Sequence, residues 1–427
     1  MRLRLAAVVL LPFVIAAGAC GPIGGSAAGS GDDSSEGGAS SGSSLPAIGM
    51  DGGILMAPNG YYVKGNQVLD AQNKAHIFRG LDRPSLEWSP SGSNLTPTDY
   101  VNMAQKWHAN VVRISLNQDF WLNDPSNTSY DQGYQAFVDE QVKDAEMVGL
   151  DVILDLHWSD QGDFSKGVAC LNLPKGAACQ QCMADTHSNT FWQQVATKYA
   201  GDGHVLFELY NEPHDVGWNV WLNGGISGGS CSQNGGNDFM VVGMQTLYNT
   251  IRATGANNVV IVGGLNWSYD LSEVPSYRVQ GYNVMYNTHP YSSKCGGTCS
   301  TAAFDHAFGF LAATDPVIAT EFGNNDCTAP FYTTFTGYAE MNGLHWTAWA
   351  YFVAGCSFPS VIVDWSGTPQ AGSGTTVQSA LMASSGPLPV VVSTADAGSD
   401  APATSDSGDA SNASDAATTD GSDDGGD

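Results

Sequence analysis

His204-Val-Leu-Phe-Glu-Leu-Tyr-Asn-Glu-Pro-His214 is an apolar run, broken by Glu208 alone, that stops abruptly at Asn211-Glu212-Pro213. A short apolar run of this kind fits a strand buried on both faces, and the proline ends its ladder, so Glu212 is delivered at the strand's end. A second run, Pro316-Val-Ile-Ala-Thr-Glu-Phe-Gly323, delivers Glu321 in the same way. In barrels of alternating strands and helices the strand ends are where functional groups collect. The two glutamates therefore point to such a fold and to a shared site.

Working outward, strand-like and helix-like patterns alternate from about Gly53 to Ser385. His76-Ile-Phe-Arg-Gly-Leu81 is expected as the first barrel strand, Asn110 to Leu116 as the second, Asp151 to Trp158 as the third and the opening stretch as the fourth. Val259 to Trp267, Val284 to Tyr291, Pro316 to Gly323 and His345 to Phe352 complete the set. Thr96 to Trp107 opens with a capping threonine and a first-turn proline, as helices do. Gln135 to Val148, Thr190 to Tyr199 and Phe239 to Thr254 carry apolar residues at helical spacing. Tyr61-Tyr-Val63 and Val68-Leu69 read as a small hairpin closing the barrel floor. The fold class expected is α/β, a (β/α)8 barrel over residues 51–385 with a short N-terminal hairpin and disulfide-rich loops. An open doubly wound sheet is the alternative. No Gly-x-Gly-x-x-Gly opens a helix after the first strand, which argues against a dinucleotide-binding version of it.

The flanks differ in composition. Residues 1–19 combine Arg2 and Arg4 with the apolar run Leu5 to Ala17 and a small-residue end, the pattern of an export signal too short to span a membrane. Ala17-Gly-Ala-Cys20 resembles a bacterial lipoprotein box, so a lipid anchor on Cys20 is expected, at the cell surface or outer membrane; ordinary cleavage after Ala19, giving a secreted protein, is the alternative. Residues 20–50 are a Gly/Ser-rich tether, and residues 386–427 an acidic tail of Ser, Asp and Ala expected to be disordered. Setting Cys20 aside leaves Cys170, Cys179, Cys182, Cys231, Cys295, Cys299, Cys327 and Cys356, an even set that reads as disulfides in an oxidising compartment. A zinc site at Cys179-x-x-Cys182 or Cys295-x-x-x-Cys299 is the other option.

The formal net charge is −27, and the central domain remains strongly acidic, though less so, when the leader, tether and tail are set aside. Such a surface repels phosphate backbones and anionic lipid, which excludes nucleic acid as a partner and suits a neutral polymer. Membrane contact is expected only through the lipid on Cys20. A monomer is expected.

The strand ends present, in chain order, Arg113, His157, Asn211-Glu212-Pro213, His289-Pro-Tyr291, Glu321 and Trp349. This ordered set resembles glycoside hydrolase family 5, the retaining cellulase and mannanase family of (β/α)8 barrels. The resemblance implies Glu212 as acid/base and Glu321 as nucleophile in hydrolysis of a β-linked polysaccharide. It further implies that Arg113 and Tyr291 support Glu321, that His289 bonds near Glu212, that Asn211 holds the sugar 2-hydroxyl, and that Trp349 is the platform under the reacting ring, with His157 among the substrate-binding residues. Two carboxylates with separate environments are what retention requires.

Each residue alone has a plainer use: Arg113 as an ion-pair partner of Glu208 or Asp155, the histidines and Trp349 as core-edge packing, and Glu208 as a structural carboxylate lower in the barrel. No cofactor and no catalytic metal are expected, since His157, His204, His214, His289 and Asp155 show no His-Glu-x-x-His or paired-His spacing. Trp88, Trp121, Trp158, Trp218, Trp221 and Trp267 fall at or beyond strand ends and could stack on sugar rings along a cleft. The expected activity is that of an endo-β-1,4-glucanase, with a β-mannanase or another β-glucan hydrolase as the alternative within the family. A non-catalytic glycan-binding surface protein is the alternative outside it.

Overall fold

The computed structural model describes residues 49, 53–122, 133–159, 181–228, 238–295 and 299–384. The signal segment, Cys20, nearly all of the tether, the acidic tail, Cys170, Cys179 and Cys231 lie outside the described residues.

Eight parallel strands close into a barrel: β1 (Arg79–Asp82), β2 (Val111–Asn117), β3 (Asp151–Trp158), β4 (Val205–Glu208), β5 (Val260–Gly263), β6 (Val284–Asn287), β7 (Val317–Ala319) and β8 (His345–Ala348). Each pairs with its neighbours in chain order, and β8 pairs with β1. Side chains alternate across a strand, and here that period of two sorts them into an inner and an outer set. Val111, Ile153, Leu206, Ile261, Met285 and Ile318 fill the bottom of the barrel, packed with Phe78 and with Tyr61 and Val68 from the N-terminal sheet. Their neighbours Val112, Leu154, Phe207, Val262 and Val317 face the helices instead. Two residues further along the same strands, Arg113, Asp155, Glu208, Asn287 and Thr320 share the inward parity. The apolar floor thus carries a polar layer directly above it.

The N-terminal element is a three-stranded antiparallel sheet, Tyr61–Lys64, Gln67–Asp70 and Ala75–His76. His76 therefore belongs to this sheet, opposite Val68, and the first barrel strand begins only at Arg79. Strands five to eight also stop short of the expected ends, at Gly263, Asn287, Ala319 and Ala348. An apolar run reports burial, and most residues beyond these ladders stay buried after pairing has ceased. Beyond β5 the chain turns back on itself, bridging Gly264 to Ser268 and Leu265 to Asp270.

The expected helices are found as α1 (Pro97–Gln105), α3 (Tyr134–Met147), α4 (His187–Tyr199) and α5 (Met244–Ala253), with the short α2 (Gln118–Leu122) following β2. At the start of α1 the Asp99 carboxylate accepts from the Thr96 N–H at 3.3 Å, and Pro97 occupies the first turn. Phe239 to Val241 is not helical as expected. Met240–Val241 forms a two-residue strand against Gly225–Ile226, and the helix begins after Gly243. Cys295 pairs with Cys299, Cys327 with Cys356, and Cys182 is also disulfide-bonded. Among the described residues no helix is long and apolar enough to cross a membrane.

Candidate active site

Arg113, from β2, organises the polar layer. Its guanidinium grips Glu208 with two N–H donors, Nε to Oε2 at 2.7 Å and Nη2 to Oε1 at 3.1 Å. Nη1 donates to Glu321 Oε1 at 2.7 Å, and Nη2 to Asn211 Oδ1 at 2.7 Å. Asp155 and Asp82 lie 2.9 and 3.7 Å from the same fork. Arg113, Asp82, Asp155 and Glu208 are all fully buried. Burial raises the proton affinity of Glu208, but Arg113 and His289 outweigh it and hold Glu208 below the usual carboxylate range. Asn287 Nδ2 and the Thr320 hydroxyl also donate to it, at 2.9 and 2.8 Å. Asp82 and Asp155 go the other way: burial pushes both well up, and Arg113 is too widely shared to compensate.

Above this layer stand the two candidate glutamates. Glu321 accepts from Arg113 on one oxygen and from the Tyr291 hydroxyl, at 2.6 Å, on the other. Glu212 Oε1 lies 3.1 Å from His289 Nδ1, which is itself 3.7 Å from Glu321 Oε2. One oxygen of each glutamate and a His289 nitrogen all fall within 4.8 Å of one another. The Glu212 side chain is the more open, 17% exposed against 5% for Glu321. Burial alone would lower the pKa of His289, but Glu321, Glu208 and Glu212 reverse this and lift it to about 10. Its Nε2 has conflicting neighbours at 3.0 Å, the Asn287 amide nitrogen and the Thr320 oxygen. Thr320 spends its own proton on Glu208, so its oxygen can accept from Nε2, in keeping with a protonated ring among several carboxylates.

His157, from β3, is held by Asp155 Oδ2 at 2.6 Å from its Nδ1, while its Nε2 is 3.3 Å from the Asn211 amide nitrogen. Burial holds its pKa below the ordinary histidine value. Its ring runs nearly parallel to Trp349, 11° apart with centroids at 5.5 Å, and Trp349 meets Phe358 at the same centroid distance. Each sequence-predicted residue is therefore in this mouth: Arg113, His157, Asn211, Glu212, His289, Tyr291, Glu321 and Trp349 form one connected group.

The Asn211-Glu212-Pro213-His214 turn is clamped from the β5 side. The Ser268 hydroxyl donates to the Asn211 carbonyl at 2.6 Å, and the Trp267 N–H donates to the Pro213 carbonyl at 3.0 Å. His214 Nδ1 donates to the Glu212 carbonyl at 2.8 Å, and its ring lies flat on the Trp267 indole, 3.5 Å away at 8°. The clamp needs an unusual backbone: Asn266, Trp267 and Ser268 all have left-handed φ, at 55°, 61° and 56°. It also needs glycine at 263, where a Cβ would sit 2.5 Å from the Ser268 hydroxyl.

Several of these residues escaped the sequence analysis. Asn287 and Thr320 carry a signal, since each lies two positions beyond a floor residue, Met285 and Ile318. His214 and Ser268 carry none that is local. Of the rim tryptophans, Trp121 and Trp221 are buried and bonded through their indole N–H to Gln194 and the Gly263 carbonyl, so they pack the loops and are not sugar platforms. Trp88, Trp158, Trp218 and Trp267 remain partly exposed. Glu212, His289 and Glu321 are the one group of His, Cys and acidic residues, among those described, close enough to share a metal ion. The Arg113 guanidinium on Glu321 disfavours a cation there.

A closed (β/α)8 barrel with two carboxylates facing each other in its mouth, each anchored by its own donors, has the architecture of a glycoside hydrolase. Residues 69–355 match the family model described as Cellulase (glycosyl hydrolase family 5), and the chain belongs to that family. It is similar to an endoglucanase of Clostridium saccharobutylicum, 23% identical over 303 residues that make up 67% of this chain and 56% of the relative. Among solved structures, a β-glucanase of Saccharophagus degradans in complex with cellotetraose matches with a TM-score of 0.60 at 21% identity, covering 77% of this chain and 94% of its own. The catalytic domain of a Thermobifida fusca endoglucanase matches with a TM-score of 0.54 at 22% identity, covering 75% and 97%. The chain spans about half the length of the curated relatives it matches.

Proposed function

We propose that this protein is an exported, retaining endo-β-glycanase that hydrolyses β-1,4-glucan by double displacement. The observation that carries the reading is the approach of Glu212 and Glu321 to within 4.8 Å, since retention places its two carboxyl groups about 5 Å apart and inversion needs roughly 6.5–9.5 Å to admit a water. Glu321, oriented by Arg113 and Tyr291, attacks the anomeric carbon and forms a glycosyl-enzyme. Glu212, more open to solvent and bonded to His289, protonates the departing oxygen and then takes a proton from the water that releases the sugar. Asn211 is fixed by Arg113 to meet the 2-hydroxyl, and Trp349, beside His157, lies under the ring.

The choice of β-1,4-glucan is supported by endoglucanase relatives and by solved neighbours complexed with cellotetraose. Export, with a lipid on Cys20, is supported by the apolar leader and the Ala17-Gly-Ala-Cys20 box. The protein is taken to act as a monomer without a cofactor. Assaying the purified protein on carboxymethyl cellulose, galactomannan, xyloglucan and laminarin, with product sizes recorded, tests the substrate. Fastest depolymerisation of the cellulose derivative to mixed oligomers supports the reading, and preference for galactomannan replaces it with a mannanase.

A further inference from the structure

Lys294 is the cation the scheme above leaves unused. It lies in the 3-10 turn Ser292–Cys295 that follows Tyr291, next to Cys295, which is disulfide-bonded to Cys299. In a chain of net charge −27 this loop brings an ammonium to the Glu212 side of the mouth. Nζ donates to Asn266 Oδ1 at 3.1 Å and lies 5.9 Å from the centroid of the Trp267 indole. An ammonium has three donors, and Asn266 takes one. Burial draws the Lys294 pKa below its ordinary value, and the charges of Glu212 and Asp215 oppose that shift.

The corner around it is rigid. Trp267 is backed by His214 and tied to the Pro213 carbonyl, and it sits in the left-handed turn that also fixes Asn266. Trp349 belongs to a different part of the wall, just after β8, where it meets His157 and Phe358. If Glu212 protonates the leaving oxygen, groups gathered on its side of the mouth face the sugar that departs. An indole with one face covered by His214 and a charged donor over its ring, 5.9 Å from the centroid, suits a pyranose, whose ring face is apolar and whose rim carries hydroxyls.

We propose that Lys294 is a specificity-determining residue for the leaving-side sugar, its ammonium donating a hydrogen bond to a hydroxyl of a β-linked hexopyranose lying against Trp267. The inference rests on the reading of Glu212 as acid/base. It predicts that Lys294 matters only when the leaving group is a sugar.

The test compares kcat/KM on cellotetraose with kcat/KM on β-cellobiosyl fluoride, whose leaving atom is too small to reach Lys294. A charge-assisted hydrogen bond lost on Lys294→Met lowers kcat/KM on cellotetraose about tenfold or more and leaves the fluoride rate unchanged. Lys294→Arg, which keeps a donor and a charge, stays within about threefold on both. The unchanged fluoride rate also reports an intact fold. Equal losses on both substrates would assign Lys294 a merely structural role, and no loss on either would remove it from the subsite; both outcomes overturn the proposal. Failure of the unmodified enzyme on both substrates is a different result, and it rejects the glycosidase reading itself.

Discussion

Replacing Arg113 with methionine keeps most of the side-chain volume and removes the one fully buried cation that touches Glu208, Glu321 and Asp155 together. Glu208 would retain the neutral donors Asn287 and Thr320, and the nearest remaining positive group, His289 Nε2, is 3.9 Å away. Leaving a buried carboxylate without its partner costs about 3–5 kcal/mol. At roughly 2 °C per kcal/mol for a domain of this size, the melting temperature should drop by about 6–10 °C. The pH dependence identifies the cause. Glu208 is held below its ordinary range in the folded protein, so its contribution is present above about pH 4.5 and is lost as pH falls through the folded value. The gap between native protein and Arg113→Met should therefore be full at pH 7 and narrow below about pH 4.5, measured by urea unfolding across that range. Activity should fall about a hundredfold or more at neutral pH, because Glu321 loses a charged donor. A stability difference below about 1 kcal/mol, or one that does not change with pH, would refute the view of Arg113 as the organiser of the layer.

Glu87 is fully buried with Oε1 unpartnered, and burial lifts its pKa from 4.5 to about 7. A carboxyl raised in this way weakens the fold as pH rises between those values, by about 3 kcal/mol in all, and Glu87→Gln should remove that slope in pH-dependent unfolding. The Cys327–Cys356 bridge, spanning 29 positions, ties the loop after Glu321 to the loop after Trp349. Replacing both cysteines with serine should cost roughly 3–4 kcal/mol in chemical denaturation, and a cost near zero would show that the bridge does not restrain the unfolded chain. Cys20→Ser should move the exported protein from the detergent phase to the aqueous phase, whereas aqueous partitioning of the native protein would remove the anchor.

The barrel and its chemistry were legible to different depths. Runs such as Asp151 to Trp158 and the Asn211-Glu212-Pro213 stop are local signals, and the strand and the glutamate were placed from them directly. The ordered residues at the strand ends resemble one family closely enough to bring Arg113, His157, His289, Tyr291 and Trp349 into the same mouth. The ends of the later strands were misjudged because Thr288 to Tyr291 and Thr320 to Gly323 stay largely buried after their ladder pairing stops, so hydrophobicity could not mark the boundary. The supporting groups were missed for a different reason. Ser268 matters because a left-handed turn directs its hydroxyl at the Asn211 carbonyl, 57 positions earlier in the chain, and Glu87 because the surrounding fold seals it from water. Trp121 and Trp221 were misplaced likewise, since an indole just past a strand end can face the cleft or turn under a loop.

The separate roles of Glu212 and Glu321 are tested most directly by azide rescue of the two alanine variants on a dinitrophenyl β-cellobioside. With this leaving group Glu212→Ala should still form a glycosyl-enzyme and release it slowly, and azide entering the vacated space should restore turnover. Two inversions preserve configuration, so the product should be the β-glycosyl azide. Glu321→Ala lacks the nucleophile and should be inactive until azide attacks in its place, with a single inversion to the α-azide. An α-azide from Glu212→Ala would mean the roles are exchanged, and near-normal activity of either variant without azide would contradict the assignment of the pair.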